Sequence, residues 1–126
     1  MHAFDVLGDP VRRRVLELLA DGERSAGELT DAVVREFGIT QSAVSQHLRV
    51  LRESGFASSR ADGPRRVYSF EAEGMRQVDE WMTPFRRYWN PRLLALETEI
   101  ARGKRTTRRT RPTDDRQQAN TNKEQE

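Results

Sequence analysis

Two helix signals separated by a very short connector constrain the fold of this chain more than any other feature. The first helix starts at Ser25, which is followed three residues later by Glu28, and its apolar residues recur at helical spacing as far as Gly38. The second spans residues 41–54, and Gly55 is placed to end it. Two helices joined by a short turn that contains glycine form a helix-turn-helix.

Helix and strand signals flank this pair on both sides. An earlier helix begins at Asp9-Pro10, where Asp9 can cap and Pro10 suits the first turn, and it ends near Asp21-Gly22. After Gly55 the apolar period changes to that of strands, which predicts a β-hairpin of residues 56–60 and 65–70 around a turn at 61–64. The predicted fold is therefore mainly α with one small β-hairpin.

A nearly heptad apolar stripe follows in residues 73–102, and Pro84 and Pro91 predict a kink or a break into two helices near Thr83. A helix of nearly thirty residues is about 45 Å long, which is more than a domain of about seventy residues can cover. We therefore expect part of the stripe to contact a second chain. Packing within one chain can coexist with this contact, and Trp81, Tyr88 and Trp89 could also line a small-molecule pocket at that interface. The stripe consists of Met75, Val78, Met82, Phe85, Trp89, Leu93, Leu96 and Ile100.

Composition excludes most chemistry other than binding. The chain has 126 residues, which fits one domain, and it has no cysteine and only two histidines, His2 and His47. Disulfides, thiolate ligands and thiol nucleophiles are thus excluded, and a metal cage of imidazoles is improbable. No nucleophile and base stand at a catalytic spacing, so we expect neither an enzyme nor a cofactor. Without a long apolar run or a signal peptide, we expect no membrane contact and a cytoplasmic location.

The chain is predicted to divide into a domain of residues 1–102 and a tail of residues 103–126. The tail has no apolar periodicity and is rich in charged and polar residues, which predicts disorder. Its basic cluster could contact DNA non-specifically or serve only as a solubilising end. The cluster is Arg102, Lys104, Arg105, Arg108, Arg109 and Arg111.

The outer face of the helix that begins at Gln41 is the strongest candidate for a functional surface. At 100° per residue, Val44, Leu48 and Leu51 point to the core, and the opposite face is polar and mostly short-chained. Such a face can enter a major groove about 12 Å wide, where Gln46 could pair with adenine and Arg49 with guanine or a phosphate. A merely solvated face is the alternative, but the preceding helix and the hairpin arginines favour DNA. His47, on the flank, is either a half-buried residue that bonds locally or a phosphate contact.

These residues together resemble the winged helix-turn-helix repressors of the ArsR family. The resemblance extends over residues 5–100, and the ordered set of segments is specific even though each alone is weak. The matching segments are Leu7-Gly8-Asp9-Pro10, Arg12-Arg13-Arg14, Leu16-Glu17-Leu18-Leu19, Gly27-Glu28-Leu29, all of residues 41–55, and Arg65-Arg66-Val67-Tyr68.

The resemblance implies a homodimeric transcription factor. Its helix from Gln41 would read the operator, its wing (residues 56–70) would touch the flanking DNA backbone, and its first and last helices would form the dimer interface. The implied DNA-binding residues are Gln41, Ser42, Ser45, Gln46, His47, Arg49 and Arg52 on the helix, and Arg60, Arg65 and Arg66 on the wing. The implied interface residues are Phe4, Val78, Met82, Phe85, Trp89, Leu93, Leu96 and Ile100.

The sequence departs from the family pattern in two places. Between Leu29 and Gly38 it is about four residues longer than usual, roughly one helical turn, which Val33 and Phe37 could absorb by continuing the apolar stripe. Metal-sensing members use cysteines, or acidic and histidine ligands on the last helix. This sequence has no Cys and no His after residue 47, so we expect no metal site.

The functional prediction is a sequence-specific regulator of double-stranded DNA that binds an inverted-repeat operator as a dimer. The family likeness implies repression of its own or a neighbouring gene. Whether a small-molecule effector exists is left open. The alternative is a winged-helix module that docks proteins without binding specific DNA.

Overall fold

The computed structural model describes residues 1–106, without the side chains of residues 97, 102 and 104–106, so the predicted tail beyond residue 106 lies outside the described residues. One compact unit comprises Met1–Thr83, and a second begins at Pro84. The elements in chain order are α1 (Ala3–Leu7), α2 (Pro10–Ala20), β1 (Arg24–Ser25), α3 (Ala26–Phe37), α4 (Gln41–Glu53), β2 (Ala57–Asp62), β3 (Arg65–Phe70), α5 (Ala72–Met82), a 3₁₀ segment (Thr83–Tyr88) and α6 (Pro91–Thr106).

The predicted helix starts are confirmed by their capping hydrogen bonds. Asp9 Oδ1 accepts from Val11 N at 2.8 Å at the start of α2. At the start of α3, Ser25 Oγ accepts from Glu28 N and the Glu28 carboxylate accepts from Ser25 N, both at 3.1 Å. Each cap satisfies N–H groups that have no partner inside the helix, so a few local residues determine where the helices begin.

The β-sheet is larger than the predicted hairpin. It has three antiparallel strands in the order β1-β3-β2, because Arg24 and Ser25 pair with Tyr68 and Val67 of β3. The predicted turn at 61–64 was too long. Ala61 and Asp62 belong to β2, and Asp62 pairs with Arg65, so the turn is the two residues Gly63 and Pro64, with Gly63 at a φ of 60°.

The core of the first unit lies between the helices and the sheet. The largest fully buried side chain is Phe56, at the junction between α4 and β2. Val33 on α3 is fully buried, whereas Phe37 is exposed, so the expectation that both continue the buried stripe was right only for Val33. The other fully buried large side chains are Val6, Val15, Leu29, Val44 and Leu51.

The long C-terminal helix breaks where the prolines predicted it would. α5 ends at Met82, the 3₁₀ segment contains Pro84, and α6 begins at Pro91. The apolar stripe is therefore divided among three segments and is not one continuous helix face. Met75 and Val78 of α5 pack against the core of the first unit. α6 extends to Thr106, four residues beyond Arg102, the predicted end of the domain.

Candidate nucleic-acid interface

The turn between α3 and α4 places α4 on the surface with a defined orientation. Gly38 ends α3 in the left-handed conformation (φ 67°), and its N–H donates to Val34 O at 2.9 Å. Two residues later Thr40 caps α4, because its Oγ1 accepts from Ala43 N at 3.1 Å. A β-carbon would meet nothing within 4 Å of Gly38, so the need for glycine there is conformational and not steric.

α4 is buried along one face only. Val44, Leu48 and Leu51 lie in the core, as predicted from their spacing. The opposite face is exposed along the whole helix and carries amide, hydroxyl and guanidinium groups. Ser42, Gln46, Arg49 and Glu53 lie on this face, with Ser45 at its border. The exposed residues of the whole helix are Gln41, Ser42, Ser45, Gln46, Arg49, Arg52 and Glu53.

The polar groups on this face differ in their hydrogen bonding. Within residues 1–106 the Gln46 amide has no side-chain hydrogen bond, so it is available to an external partner. Arg49 Nε donates to Glu53 Oε1 at 2.9 Å, one helical turn further on. The same hydrogen bond lowers the pKa of the Glu53 carboxyl and raises the pKa of Arg49. To contact DNA, Arg49 must therefore either release Glu53 or bind Glu53 and DNA through different nitrogens of its guanidinium.

His47 is held by a residue that the sequence did not indicate. Its side chain is only 19% exposed, and Nδ1 lies 3.3 Å from Arg12 Nη1 of α2. The half-buried alternative describes this geometry, but the partner is 35 residues away and not local. The sequence distinguishes Arg12 only as part of the basic run at residues 12–14, and nothing in that run indicates a contact with His47.

The three wing arginines surround the tip of the β2–β3 hairpin and are all exposed. Arg60 Nη2 contacts Glu23 Oε2 at 2.7 Å, and Arg65 Nη2 contacts Asp62 Oδ2 at 3.1 Å. Arg66 Nη1 donates to Ser59 Oγ at 3.2 Å. Exposed ion pairs of this kind are worth little in water, so the strands present these arginines to a phosphate at small cost.

Comparison with known proteins identifies this arrangement. The family model of the bacterial regulatory proteins of the arsR family matches residues 9–59, which include α2, α3, α4 and the start of β2. The HTH-type transcriptional regulator Rv2034 of Mycobacterium tuberculosis is 35% identical over 88 residues, which are 70% of this chain and 76% of that protein. The chain belongs to the ArsR family. As a member, it is a DNA-binding transcriptional regulator.

Two further comparisons agree with this family assignment. The transcriptional repressor SdpR of Bacillus subtilis is 29% identical over 84 residues, which are 67% of this chain and 89% of SdpR. The crystal structure of an ArsR family transcriptional regulator superposes with a TM-score of 0.58 at 28% identity, over 69% of this chain and 86% of that one. The winged helix-turn-helix fold predicted from the sequence is confirmed.

The interface residues predicted for this ArsR-family chain in its first unit lie on α1 and α5. Phe4 is 41% exposed, and its ring meets the ring of Trp81 edge-on with centroids 5.1 Å apart. Val78 and Met82 are half-buried, and Val78 also packs on the core. The helix α1 was not predicted from the sequence, because it has only five residues and shows no apolar period.

The predicted interface residues of the second unit lie in the 3₁₀ segment, just after it and on α6. Leu93 is half-buried, and the others are exposed, namely Phe85, Trp89, Leu96 and Ile100. Tyr88, a candidate pocket residue, is exposed beneath the guanidinium of Arg87, which lies 5.1 Å from the ring centroid. Trp89, the next candidate, is exposed as well.

The described part of the chain lacks two kinds of feature. No helix within it is long and apolar enough to cross a membrane. Nor do its His, Asp and Glu side chains form a group of three that could hold a metal ion.

Proposed function

We propose that this regulator is a cytoplasmic homodimeric repressor that inserts α4 into the major groove of an inverted-repeat operator, acts without metal sensing, and controls its own or a neighbouring gene. The observation that carries the proposal is the one-sided burial of α4, whose polar face is exposed from Ser42 to Glu53. Binding, and not catalysis, is the proposed activity.

The exposed face of α4 supports base reading in two ways, through its polar functional groups and through the shortness of several of its side chains. Ser42 and Ser45 are short and let the helix approach the bases closely, while Gln46 can make the two-point contact with adenine. Arg49 on this face and the exposed Arg52 on its flank can reach guanine or a phosphate. Gln41 begins the helix and is a candidate backbone contact.

The wing supports the proposal through charge. Arg60, Arg65 and Arg66 present guanidinium groups at one end of the hairpin, where they would neutralise phosphates beside the groove. Their acidic partners Glu23 and Asp62 are exposed, so phosphates can replace them in solution. The wing should therefore add affinity that depends on salt but not on base sequence.

Exposed aromatic and aliphatic side chains support dimerisation. In the first unit, Trp81 is 57% exposed although it contacts Phe4. In the second unit, Leu94, Leu96 and Ile100 of α6 are exposed as well. Apolar patches of this kind mark interaction surfaces. We propose that residues 1–102 form the DNA-binding and dimerisation domain.

Repression is supported by SdpR, whose name describes it as a transcriptional repressor. Independence from metal is supported by the absence of cysteine from the whole sequence, since this removes every thiolate ligand. An inverted repeat follows from a two-fold dimer, whose two α4 helices would meet half-sites about 34 Å apart.

The test is a binding titration of the full chain with duplex DNA from its own promoter. We expect tight, salt-dependent binding to the promoter and much weaker binding to a duplex of equal length with the inverted repeat scrambled. Light scattering should give the mass of a dimer. Adding Zn²⁺ or Ni²⁺, or a chelator, should leave the affinity unchanged. A monomer that ignores its promoter would instead favour the protein-docking module.

The interface can be tested with a matched pair of α6 variants. Leu96→Asp should yield monomers, because it places a charge in the proposed apolar contact. Ala95→Asp adds the same charge at the neighbouring exposed position, outside the proposed interface, and should leave the dimer intact. Equal masses for the two variants would contradict this placement of the interface.

A further inference from the structure

A single guanidinium connects the first helix to α4. Arg12 Nε donates to Val6 O at 2.8 Å, and Nη2 donates to Asp5 O at 2.9 Å, so two nitrogens are bound to carbonyls in the last turn of α1. The remaining nitrogen, Nη1, lies 3.3 Å from His47 Nδ1 on α4. Because the guanidinium is planar, its two bonds to α1 also set the direction of the third.

This contact determines which nitrogen of His47 carries the proton. A guanidinium has no acceptor, so Nδ1 must accept, and the neutral imidazole then has its proton on Nε2. Among the described residues, Asp9 is the acidic group that comes within 4.0 Å of Nδ1 and could favour a proton there. Its Oδ1 is 4.0 Å away, beyond hydrogen-bond range, and already accepts from the N–H groups of Val11 and Arg12.

The other nitrogen of the ring, Nε2, is not fully buried. Within residues 1–106, Nε2 has no hydrogen-bond partner, and it is not among the buried polar atoms that lack one. At 100° per residue His47 lies on the flank of α4, between the buried residues and Gln46, so an N–H at Nε2 stands beside the face proposed to enter DNA. A neutral N–H beside that face is suited to a phosphate oxygen.

We propose that Arg12 is a positioning residue for DNA binding, which holds His47 as a neutral Nε2–H donor to a phosphate of the DNA backbone. The inference rests on the proposed function, and it assigns to Arg12 a role in binding without contact to DNA. The hydrogen bonds to Asp5 and Val6 make the position of the donor depend on α1.

Two amide variants of His47 separate the two nitrogens. A Gln amide can place an N–H near the position of Nε2, whereas an Asn amide reaches only the position of Nδ1. At mildly alkaline pH, where a free imidazole is neutral, His47→Asn should weaken binding about tenfold or more and His47→Gln clearly less. Both losses should be similar on operator and scrambled DNA. Equal losses for the two variants would refute the donor role.

The salt dependence separates a neutral donor from a charged one. Because a neutral N–H releases no counterion, His47→Asn should lower the affinity and leave the slope of log K against log salt unchanged. A slope reduced by about 0.9 would show that His47 binds as a cation, which the proposal excludes.

Arg12→Met tests the positioning role, and Arg13→Met is its control. Arg13 Nη1 also donates to a carbonyl of α1, Leu7 O at 2.7 Å, but Arg13 has no hydrogen bond to His47 within the described residues. Arg12→Met should weaken DNA binding and Arg13→Met should not. In a His47→Asn background, Arg12→Met should cost nothing further, because the group through which it acts is gone. A full additional loss, or a flatter salt slope, would show that Arg12 contacts DNA itself.

Nitrogen NMR of the imidazole gives a readout that does not depend on DNA. In the wild-type chain Nδ1 should show the signal of a bare nitrogen and Nε2 that of an N–H, and Arg12→Met should yield a mixture of tautomers. An N–H at Nδ1 in the wild type would overturn the inference. If the wild-type chain binds no duplex DNA, the proposed function fails and the inference with it. If it binds DNA, but His47→Asn binds as tightly as His47→Gln and Arg12→Met as tightly as Arg13→Met, only the inference fails.

Discussion

Replacing Gly74 by alanine should destabilise the protein, although alanine is the better helix former. A β-carbon at residue 74 would lie 2.5, 2.6 and 2.7 Å from Cδ2, Cε2 and Cγ of the Phe56 ring. Carbon atoms in contact prefer about 3.5–4.0 Å, so the ring and α5 would have to separate by about 1 Å.

The surroundings of Phe56 leave no easy way to make that separation. The ring is 0% exposed, and Phe56 N and O are bonded to Leu51 O and Glu71 N at 2.9 and 3.0 Å. The helix α5 is held as well, because Gly74 N donates to Gly55 O at 2.8 Å. Overpacking of this kind costs about 1–3 kcal/mol, against a gain of at most about 1 kcal/mol in helix propensity. We expect a net loss of about 1–2 kcal/mol.

Urea denaturation at a fixed protein concentration measures this loss, and Gly27→Ala is the matched control. Gly27 also lies in a helix, but its β-carbon would meet only Ser25 Oγ at 3.9 Å, so that variant should be neutral or more stable. Phe56→Leu should reduce the penalty of Gly74→Ala, because it removes ring atoms from the clash. A Gly74→Ala protein as stable as the wild type would refute the reasoning.

The remaining predictions concern DNA contacts and a helix cap. Gln46→Ala should weaken operator binding by about 1–3 kcal/mol and random-DNA binding much less; equal losses in a fluorescence titration would contradict base reading. Arg65→Ala should weaken both and flatten the salt slope by about one, and an unchanged slope would count against a phosphate contact. The hydrogen bond from Ser25 N, followed by that from the Ser25 side chain, lowers the pKa of Glu28. The stabilisation from this carboxylate is therefore present at neutral pH and lost as the pH falls through the lowered pKa of the folded state. In Glu28→Gln that part of the acid-induced fall in Tm should be missing. A Tm that falls with acid as steeply as in the wild type would contradict a lowered pKa of Glu28.

Elements with local signals could be predicted, and elements that depend on distant partners could not. The starts of α2 and α3 follow from Asp9 and from the pair Ser25 and Glu28, whose hydrogen bonds lie within three residues. β1 has two residues and exists because it pairs with Tyr68 and Val67, far along the chain. Nothing near residue 24 indicates that pairing.

The candidate site shows the same division. The exposed and buried faces of α4 follow from helical period alone, so Gln46 and Arg49 were predicted on the surface and Val44 in the core. The ion pair between Arg60 and Glu23 joins residues 37 apart, and no periodic pattern indicates it. The bond between Arg12 and His47 is of the same kind.

The amino-acid sequence by itself determined where most helices begin, which side of α4 is polar, and that thiolate chemistry is absent, because capping, helical period and composition act within a few residues. Tertiary structure alone decided the third strand, the two-residue turn at Gly63-Pro64, the intolerance of a β-carbon at Gly74, and the hydrogen bond of His47. Each of these depends on the distance between groups far apart in the chain, and only packing of the core brings such groups together.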